Sequence, residues 1–438
     1  ISVEEVRLVP AVGIDVKLVR QRAIEELHLK RASDQRVWFY RDGVYLPEGL
    51  RAAEQFLRDD VGEAYTAGNM SEMRQVAAGM VDVDLDKANN LAFLNVKNGL
   101  YAWDTGVLHD HTPDQFYTYQ LNHYWHPDAA CPRIDAFLEE ALPDPEMRHL
   151  FWDWAGYCLL PGNRFKKALL LYGPKDTGKS VALNILTRMV GYRNNSSVSL
   201  KDIANNKFAL SGLVGKLTNI SDDIASKSGD DSSNFKKITG SGGGNTIMPI
   251  TCEIKGLPQF DAYIGAKLIF SANDLPSNRD TSESYYDRWH IMTFENVVPP
   301  ERQDPDLWGA VTSPRELEGA LRRAITAATA LRSAKEMKVP ASVIAAKDAY
   351  REGDDSIVGW LAEECKRGGA YYTGRAETFD CYTRWADAGR TYTVSRNLFY
   401  KRLRQAGVEE FSPGRGKPRG FRLKVNGATT AVEATSNP

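Results

Sequence analysis

The sequence predicts an α/β core built on a parallel sheet, with a mixed α+β module before it and a small helix-and-turn unit after it. Three observations predict this organisation. Strand-like and helix-like segments alternate through residues 164–296, the pattern of a parallel α/β core. A glycine-rich loop joins the first of these strands to a helix. A Pro-rich, charged stretch, "VVPPERQDPD" at 297–306, then separates the core from helical segments and a C-terminal unit.

The composition limits which classes of partner the chain can have. Its 438 residues suffice for about two to four domains with a sizeable core. It carries 55 Lys and Arg against 57 Asp and Glu, so any contact with nucleic acid must come from a local patch or an enclosed channel. The five cysteines are scattered without paired spacing, which suits a reducing compartment. Because no apolar run is long enough for a bilayer, we expect a cytoplasmic protein with no membrane partner.

Local patterns divide the chain into four parts. The first part mixes helical segments with two predicted hairpins, around Asp42-Gly43 and Asn98-Gly99. A helical run opens at Pro145, and another opens at Pro340. The predicted parts are an N-terminal module with a helical collar toward its end, the α/β core, a helical segment and a C-terminal unit, at residues 1–150, 151–300, 301–340 and 341–438.

One short segment carries the clearest chemical signal. In "LYGPKDTGKS" at 171–180, the template G-x-x-x-x-G-K-[ST] is met in full. An apolar run of strand length precedes it, and "VALNILTRMV" follows with apolar residues at helical spacing. Backbone N–H groups of such a loop turn inward around an anion, and the helix N-terminus adds partial positive charge. The segment therefore predicts a site for ATP and Mg²⁺ formed by Gly173, Pro174, Lys175, Asp176, Thr177, Gly178, Lys179 and Ser180.

Two acidic residues complete the predicted site. "LVGKLTNISDD" (213–223) has the pattern of a strand that ends in Asp222-Asp223. A phosphate-binding loop needs carboxylates at the end of a neighbouring strand, to hold Mg²⁺ and to polarise the attacking water. We predict that Ser180 and Asp222 hold the metal, that Lys179 contacts the terminal phosphates and that Asp223 acts on the water. The order of the two aspartate roles stays open, and a helix cap after a strand is the alternative for either residue alone.

Two further candidates stand at strand boundaries. "AKLIFSAND" (266–274) is an apolar run ending near Asn273, whose amide is placed to hydrogen-bond a terminal phosphate or the water; the alternative is a turn before Leu275-Pro276. Arg288 stands just before another strand in "YYDRWHIMTFE" (285–295). A guanidinium there is placed to stabilise transition-state charge on the phosphate of a neighbouring subunit. In isolation, an Arg before a strand is more often a surface residue.

In order and spacing, these motifs resemble those of the superfamily 3 helicases, the hexameric AAA+ motors of small DNA viruses, phages and plasmids. The core is compact, with 44 residues from Lys179 to Asp223, 50 more to Asn273 and 15 more to Arg288. The resemblance covers nearly the whole chain from about residue 35. The upstream segments look like the module that precedes the motor in phage, plasmid and poxvirus-type primase–helicases, namely "YRDGVY", "LNVKNGLYAWDTG", "HPDAACPRIDAFLEE" and "WDWAGYCLLPGNRFKKALLLYG". Segments downstream of the core, such as "FYKRLRQAGV", look like the C-terminal portion of these proteins.

The resemblance implies a fold, an activity and a set of partners. The fold is an AAA+ α/β core. The activity is ATP-dependent DNA unwinding by a hexameric ring that moves 3′ to 5′ on single-stranded DNA and engages forked DNA, in the replication of a phage, plasmid or mobile element. The family roles place Gly173–Ser180 on the phosphates, Asp222 and Asp223 on metal and water, Asn273 as the sensor, and Arg288 as the finger onto a neighbouring subunit.

The family also carries a DNA-gripping hairpin between its second and third strands. "KKITGSGGGNTIMPITCEIKGLPQF" (236–260) occupies that interval here. Lys255 matches the basic residue at the tip, and Lys236 and Lys237 lie on the approach, so the resemblance assigns all three to DNA. Two features depart from the family pattern. The second motif ends in Asp-Asp where many relatives have Asp-Glu or Glu, and "GSGGGN" is richer in glycine than the usual turn, so the water-polarising residue and the hairpin register stay open.

The C-terminal unit has the pattern of a winged-helix-like DNA-binding domain. "TVSRNLFYKRLRQAGV" (393–408) predicts a helix after Ser395, and the basic turn "SPGRGKPRGFRLKV" (412–425) follows it. Residues 391–425 hold nine Lys and Arg against two Glu, a net charge of +7. A helix followed by a basic β-turn is typical of a winged helix, and a solvated basic face is the alternative. The predicted DNA contacts are Arg396, Lys401, Arg402, Arg404, Arg415, Lys417 and Arg419.

Two other functions stay open on the sequence. The C-terminal unit also fits an origin-binding initiator whose ATPase is an assembly switch without processive unwinding. The alternating aspartates of "VDVDLD" (81–86) are of the kind that a two-metal primase site uses, although no matching His or third carboxylate motif accompanies them. A primase or polymerase domain that precedes Ile1 in a longer parent protein, or that acts as a separate partner, fits the same interpretation.

Overall fold

A computed structural model gives the fold with its side chains. It describes residues 15–222, 224, 232–240, 249–255, 259–276, 280, 282–354, 356–368, 371–388, 393–412, 419–428 and 432–433. None of the helices formed by these residues combines the length and the apolar character that crossing a bilayer requires.

The N-terminal module combines small sheets with flanking helices. Its elements are α1 (Val16–Glu26), β1 (Lys30–Ala32), β2 (Val37–Arg41), β3 (Val44–Leu46), α2 (Gly49–Val61), α3 (Ala67–Ala78), β4 (Asp82–Val83), β5 (Phe93–Val96), β6 (Gly99–Ala102), β7 (Leu108–His109), α4 (Pro132–Ala141) and α5 (Pro145–Leu159). The strands form sheets of order β3-β2-β1-β4 and β5-β6-β7. The hairpin predicted around Asp42-Gly43 is confirmed, because both residues take the left-handed conformation between β2 and β3.

A parallel sheet forms the centre of the α/β core. The elements of the core are β8 (Ala168–Tyr172), α6 (Lys179–Val190), β9 (Asn195–Ser196), α7 (Leu200–Asn205), α8 (Lys207–Ser211), β10 (Thr218–Ser221), α9 (Ser233–Gly240), β11 (Ile250–Cys252), β12 (Phe260–Ala262), β13 (Lys267–Ala272), α10 (Glu283–Tyr286) and β14 (Trp289–Thr293). Five strands run parallel in the order β14-β8-β13-β10-β9. Strands β10 and β13 are buried throughout, as expected of a parallel sheet covered on both faces.

The remaining elements extend from the core to a small C-terminal unit. They are α11 (Leu307–Val311), α12 (Pro314–Ser333), α13 (Ala341–Asp354), α14 (Ser356–Glu364), β15 (Cys365–Arg367), β16 (Tyr371–Gly374), α15 (Arg375–Ala388), α16 (Arg396–Gln405), β17 (Glu410–Phe411), β18 (Gly420–Phe421), β19 (Leu423–Val425) and β20 (Val432–Glu433). The C-terminal unit has an apolar core of its own, in which the Tyr382 and Phe399 rings stack with their centroids 4.6 Å apart.

Helix α13 packs with the core rather than with the C-terminal unit. Tyr350 lies in the same apolar cluster as the parallel sheet. Lys347 forms an ion pair with Asp287, with the Nζ and Oδ1 atoms 3.0 Å apart. The separate apolar core of the C-terminal unit begins at Ile357. The boundary between the core and the C-terminal unit therefore follows α13. The sequence pattern placed this boundary at residue 340, because the proline there marks the start of a helix. A proline carries no information on what that helix packs against.

Helices α5 and α12 join the N-terminal module to the core. Helix α5 runs across the boundary predicted at residue 150. It approaches α12 closely, since a Cβ at Gly156 would lie 2.5 Å from a backbone nitrogen of α12. The buried Glu316 carboxylate of α12 accepts hydrogen bonds from the backbone N–H groups of Arg133 (3.1 Å) and Ile134 (3.0 Å) in α4. A carboxylate in this position satisfies N–H groups that lack an intrahelical partner and is favoured by the helix dipole.

A buried lysine should make the stability of the core depend on pH. Lys267 is fully buried at the start of β13, and its Nζ has no hydrogen-bond partner among the described residues, lying 5.3 Å from the Tyr157 ring centroid. Burial lowers the pKa of Lys267 to about 7, and Cys158 opposes this shift in part. At pH values between about 7 and the ordinary lysine pKa of 10.5, Lys267 is protonated in the unfolded chain but not in the folded chain. The free energy of unfolding should therefore fall as the pH drops through this window.

We expect Lys267→Met to raise the melting temperature at pH 7, because it replaces an amine that is costly to bury with an apolar side chain of similar length. The variant should also show a smaller rise in melting temperature between about pH 7 and pH 9 than the wild type. Scanning calorimetry measures both effects. The exposed Lys335→Met serves as the matched control and should behave as wild type. The same pH dependence in Lys267→Met and wild type would contradict the assignment.

Candidate nucleotide-binding site

Three chain segments meet at the carboxyl edge of the parallel sheet. The last residues of β8 and β13 pair with each other, and the last residue of β10 pairs two residues before the end of β13. The segments that follow these strands are Gly173–Ser180, here called the glycine loop, then Asp222 and Asn273. Because β13 lies between β8 and β10, Asn273 lies between the glycine loop and Asp222.

Two glycines set the shape of the glycine loop. Gly173 has φ +151°, and a Cβ there would lie 2.0 Å from the Phe294 carbonyl oxygen, while Gly178 takes a left-handed conformation with φ +90°. Neither position accepts another residue without strain. The buried Lys179 Nζ donates to the carbonyl oxygens of Gly173 (2.7 Å) and Pro174 (2.6 Å). The loop therefore holds an ammonium group at the amino end of α6, where an anion is also attracted by the helix dipole.

A carboxylate and two hydroxyls converge beside the glycine loop. The Ser180 Oγ donates to the Asp222 Oδ2 at 2.9 Å, and the Ser271 Oγ donates to the other oxygen of the same carboxylate. The structure thus brings together the two predicted metal ligands, with the oxygen chemistry that Mg²⁺ prefers. Sequence reasoning missed Ser271, because this serine lies inside the apolar run of β13. Its position two residues before Asn273 was the only indication that it lies near the site. Asp223, predicted to act on the water, lies outside the described residues.

A cleft of about 370 Å³ opens next to the glycine loop, a volume within the usual range for small-molecule sites. The half-buried Asn273 lines this cleft together with the first two residues of the loop. The lining residues are Tyr172, Gly173, Pro174, Asn273, Thr293 and Glu295. Sequence reasoning also missed Glu295, because a lone carboxylate just after a strand looks like the start of a surface loop. Elsewhere in the described residues, no three His, Cys, Asp or Glu side chains are grouped to hold a metal ion.

Arg288 lies at the opposite edge of the sheet. It precedes β14, whose first residue pairs with Ala168 at the start of β8. The five residues of β14 advance about 3.3 Å each, so roughly 16 Å of strand separates Arg288 from the edge that carries the glycine loop. The guanidinium is half-buried and donates to the Ser284 carbonyl oxygen. Burial lowers the pKa of Arg288, against the opposing charges of Asp280 and Asp287. Within one chain, the fold does not bring Arg288 to the glycine loop.

The predicted DNA hairpin coincides with an antiparallel strand pair. Strands β11 and β12 pair with Ile250 opposite Ala262, and Lys255 is exposed in the connection between them. Residues 256–258 of that connection lie outside the described residues, as does most of the "GSGGGN" segment. The structure therefore places Lys255 in the connection of a two-stranded hairpin that lies between β10 and β13 along the chain.

The two lysines on the approach to the hairpin have different surroundings. Lys236 of α9 forms an ion pair with Asp280 and donates to the Ser282 Oγ at 3.1 Å. Burial alone would raise the pKa of Asp280, but hydrogen bonds from Lys236, Ser232 and Ser282 outweigh it and lower that pKa to about 2. Lys236 is thus engaged within the core, whereas Lys237 is exposed.

The predicted DNA contacts of the C-terminal unit fall on α16 and on the start of β18. Arg404 forms an ion pair with Glu410 at 3.1 Å, and Arg402 is half-buried. Arg415 and Lys417 lie outside the described residues. The exposed members of the set are Arg396, Lys401, Arg404 and Arg419.

We expect Asp222→Asn to lower kcat for ATP hydrolysis by about a hundredfold or more, because the neutral amide is a weaker ligand for Mg²⁺ beside Ser180. Asp223→Asn should also cripple turnover, and the variant that binds nucleotide without hydrolysing it identifies the residue that orients the water. Steady-state ATPase assays and nucleotide binding, each across a Mg²⁺ titration, measure the two effects. Asp128→Asn, at an exposed position outside the site, is the control. Wild-type turnover by Asp222→Asn at every Mg²⁺ concentration would remove Asp222 from the metal site.

Two parts of the chain match known protein families. Residues 16–143 match the family described as D5 N terminal like. Residues 171–288, which contain the glycine loop, Asp222, Asn273 and Arg288, match a family described as a family of unknown function, DUF5906. No curated protein matches the chain.

A solved structure shares the fold of this chain. The apo structure of the NrS-1 C terminal region matches with a TM-score of 0.51 at 12% identity, over 94% of this chain and 100% of that one. The A form apo structure of the same region matches with a TM-score of 0.47 at 13% identity, over 90% and 87% of the two chains. The D5 N terminal like match thus supports a relationship to replication proteins of the phage primase–helicase type, and the NrS-1 structure shows a shared fold.

Proposed function

We propose that this chain is an ATP-dependent DNA helicase of the superfamily 3 AAA+ type, acting in the replication of a phage, plasmid or mobile element in the cytoplasm of a host cell. The observation that carries the proposal is the convergence of the Ser180 hydroxyl on the Asp222 carboxylate beside the glycine loop. Strand, glycine loop and helix follow one another there, at the edge of a parallel sheet where α/β proteins bind their ligands.

The residues at this edge fit ATP and Mg²⁺. The two glycines leave the backbone free to approach a phosphate chain, and the ammonium of Lys179 provides positive charge inside the loop. Ser180 and Asp222 provide the oxygen ligands for Mg²⁺. ATP supplies the phosphoanhydride bond whose cleavage drives the motor.

The residues of the proposed site have different roles in the reaction. Lys179 and the N–H groups of the glycine loop bind and orient the terminal phosphates. Asp223 holds the attacking water and accepts its proton, while Asn273 in the neighbouring cleft orients the water or the terminal phosphate by hydrogen bonds. Positioning and electrostatic stabilisation provide most of the catalysis in phosphoryl transfer, which suits a site made of loop N–H groups and charged side chains.

The position of Arg288 supports a ring of subunits packed head to tail. Its separation from the glycine loop of the same chain excludes a direct contact with a phosphate bound there. A heterologous interface that closes into a ring places one edge of a subunit against a different edge of the next. Such a ring brings Arg288 of one copy to the nucleotide of its neighbour, and we propose a hexamer around single-stranded DNA.

Unwinding of a forked duplex tests the proposal. One strand of the fork carries a fluorophore, and its release is followed with ATP, without nucleotide and with a non-hydrolysable ATP analogue. We expect release only with ATP and Mg²⁺, together with DNA-stimulated phosphate release. ATP hydrolysis without strand release on forks with either a 3′ or a 5′ tail would contradict the helicase.

A second candidate function is an ATP-switched origin-binding initiator that does not unwind processively. The separate apolar core of the C-terminal unit favours it, because exposed basic side chains sit on an element that can bind a duplex by itself. In that case Arg419→Ala combined with Arg396→Ala should weaken duplex binding, and the wild type should hydrolyse ATP without releasing a strand. A primase or polymerase is a proposed partner in either case.

Lys255→Ala should uncouple ATP hydrolysis from movement on DNA. Lys255 is exposed in the connection of the hairpin that joins β10 to β13 along the chain. We propose that this connection shifts with the nucleotide cycle, so loss of its phosphate contact should remove DNA stimulation and unwinding. Single-strand binding should also depend less steeply on salt, because fewer counterions are released. Lys338→Ala, at an exposed lysine outside the hairpin, is the control. Unwinding at the wild-type rate by Lys255→Ala would show that another part of the chain grips the translocated strand.

A further inference from the structure

We infer that a second surface of this chain binds single-stranded DNA through exposed aromatic rings and cations that lack a carboxylate partner. This surface, here called the aromatic–basic patch, lies at the carboxyl end of α6 and the adjoining loop of the N-terminal module. It consists of Tyr124, His126, Arg188, Tyr192, Arg193 and Lys216. The inference rests on the proposed function, because it takes DNA as the partner, but it uses none of the residues of the glycine loop, the hairpin or the C-terminal unit.

The aromatic members of the patch present their rings to solvent. Tyr192 is 65% exposed and Tyr124 is 47% exposed. The ring of Tyr124 lies nearly parallel to that of His126, with an angle of 16° between the planes and 6.2 Å between the centroids. The Arg188 guanidinium lies 5.8 Å from the centroid of the Tyr192 ring. Exposed aromatic faces next to cations are the combination on which successive bases stack without regard to sequence.

Hydrogen bonds order the loop of the patch and join it to the end of α6. The side chain of Asn98 donates to the Trp125 carbonyl oxygen (3.0 Å) and accepts from the Trp125 N–H (2.9 Å). The His123 ring lies 2.7 Å from the Arg188 carbonyl oxygen, which joins the loop to the end of α6. Asn194 is buried and donates to backbone carbonyl oxygens of both segments, each at 2.8 Å. The rings therefore project from an ordered backbone. Binding of DNA then requires little further ordering of that backbone and loses little free energy to it.

Among the described residues, no carboxylate forms an ion pair with Arg188, Arg193 or Lys216, although Glu318 lies within electrostatic reach of the neighbouring His123. The Arg188 Nε donates only to the Asn184 amide oxygen, and the Lys216 Nζ donates to the Arg193 carbonyl oxygen. Burial and, second, the charge of Arg193 lower the pKa of Lys216, so the two cations disfavour each other. Arginines elsewhere on the surface do have acidic partners, such as Arg302 with Glu140 at 2.6 Å. A group of like charges left uncompensated in this way is stabilised by a bound polyanion.

The combination of rings and cations favours a single strand over a duplex. Cations alone contact the backbone of either form, since backbone phosphates carry no sequence information and occur in both. The bases of a duplex are stacked on each other and cannot lie on Tyr192 or Tyr124, whereas the bases of a single strand can. The patch should therefore bind phosphates through Arg188, Arg193 and Lys216 and bases through the two tyrosines.

Fluorescence anisotropy with the full chain and a labelled oligothymidylate of about 16 nucleotides tests the inference. Tyr192→Ala should weaken binding on the order of tenfold, and Tyr192→Phe should keep the wild-type affinity, because it retains the ring. Arg188→Ala combined with Arg193→Ala should lower the slope of log K against log salt by about 1.4. Phe208→Ala removes a 53% exposed ring outside the patch, and Lys335→Ala removes an exposed cation; both should bind as wild type. Melting temperatures verify that each variant is folded.

The outcomes separate this inference from the proposed function. Wild-type binding by Tyr192→Ala and by the double arginine variant, together with weakened binding by Lys255→Ala, would overturn the patch and leave the helicase proposal standing. Equal losses on a blunt duplex of the same length would show a general anion-binding surface and would overturn the stacking role. Failure of the wild-type chain to bind the oligonucleotide at low salt would count against both proposals.

Discussion

Lys179→Ala should reduce ATP hydrolysis to less than about a hundredth of the wild-type rate and abolish unwinding. The side chain provides the positive charge inside the glycine loop, and removal of one preorganised group that stabilises transition-state charge costs roughly two to three orders of magnitude in rate. The fold should survive, because the Lys179 ammonium bonds to carbonyl oxygens of its own loop and its removal takes no apolar volume from the core. Phosphate release and fork unwinding measure the effect, and the melting temperature measures the fold.

Lys175→Ala is the control for this experiment. Lys175 belongs to the same loop and is exposed, whereas Lys179 is buried. Lys175→Ala should therefore lose much less ATPase activity than Lys179→Ala. If Lys179→Ala keeps more than a few per cent of the wild-type turnover, Lys179 does not contact the reacting phosphates.

Arg288→Ala should bind nucleotide nearly as wild type and yet fail to hydrolyse it. Since Arg288 lies across the sheet from the glycine loop of its own chain, its loss leaves the nucleotide contacts of that chain intact. An arginine provided by a neighbouring subunit accelerates phosphoryl transfer by about three to five orders of magnitude, which sets the scale of the expected loss. Fluorescent-nucleotide binding and single-turnover hydrolysis separate the two effects. Arg302→Ala, which breaks a surface ion pair with Glu140, is the matched control.

Mixing two inactive variants tests whether Arg288 acts between subunits. A ring that contains both Lys179→Ala and Arg288→Ala subunits has some interfaces in which an intact glycine loop faces an intact arginine. Such mixtures should recover part of the ATPase activity, most at about equal proportions of the two variants. No recovery at any mixing ratio would show that Arg288 acts within its own subunit or only supports the fold through its contact with Ser284.

The strands and loops of the core could be predicted from the sequence because their signals are local. Buried parallel strands appear as continuous apolar runs, and a polar residue directly after such a run marks the sheet edge where ligands bind. The positions of Asp222 and Asn273 at this edge were predicted in this way, and that of Gly173 from the template of the glycine loop. Residues inside a strand carry no such signal, so Ser271 was missed although it donates to the Asp222 carboxylate.

Tertiary packing decided the features that the sequence could not predict. The burial of Lys267 and Glu316 depends on elements that are distant along the chain, and a charged residue in a sequence pattern is ordinarily counted as exposed. The same limit applies to Tyr192 and Tyr124, which come from separate segments that are joined through the contact of the His123 ring with the Arg188 carbonyl oxygen. The domain boundary predicted at 340 followed a proline, whereas packing places α13 with the core. The boundary predicted at 150 falls inside α5, which joins the two parts.

The continuity of α5 has a practical consequence for truncated forms of the protein. A fragment that starts at residue 151 would cut this helix within its second turn and remove buried apolar residues, such as Ile134, Leu138 and Leu150, that share a cluster with α12. It would also leave Glu316 as a carboxylate without the N–H groups that it accepts from. Such a fragment should be poorly soluble even though the glycine loop remains complete. A fragment that keeps α4 and α5 should be more soluble, and solubility after expression of the two fragments compares them directly.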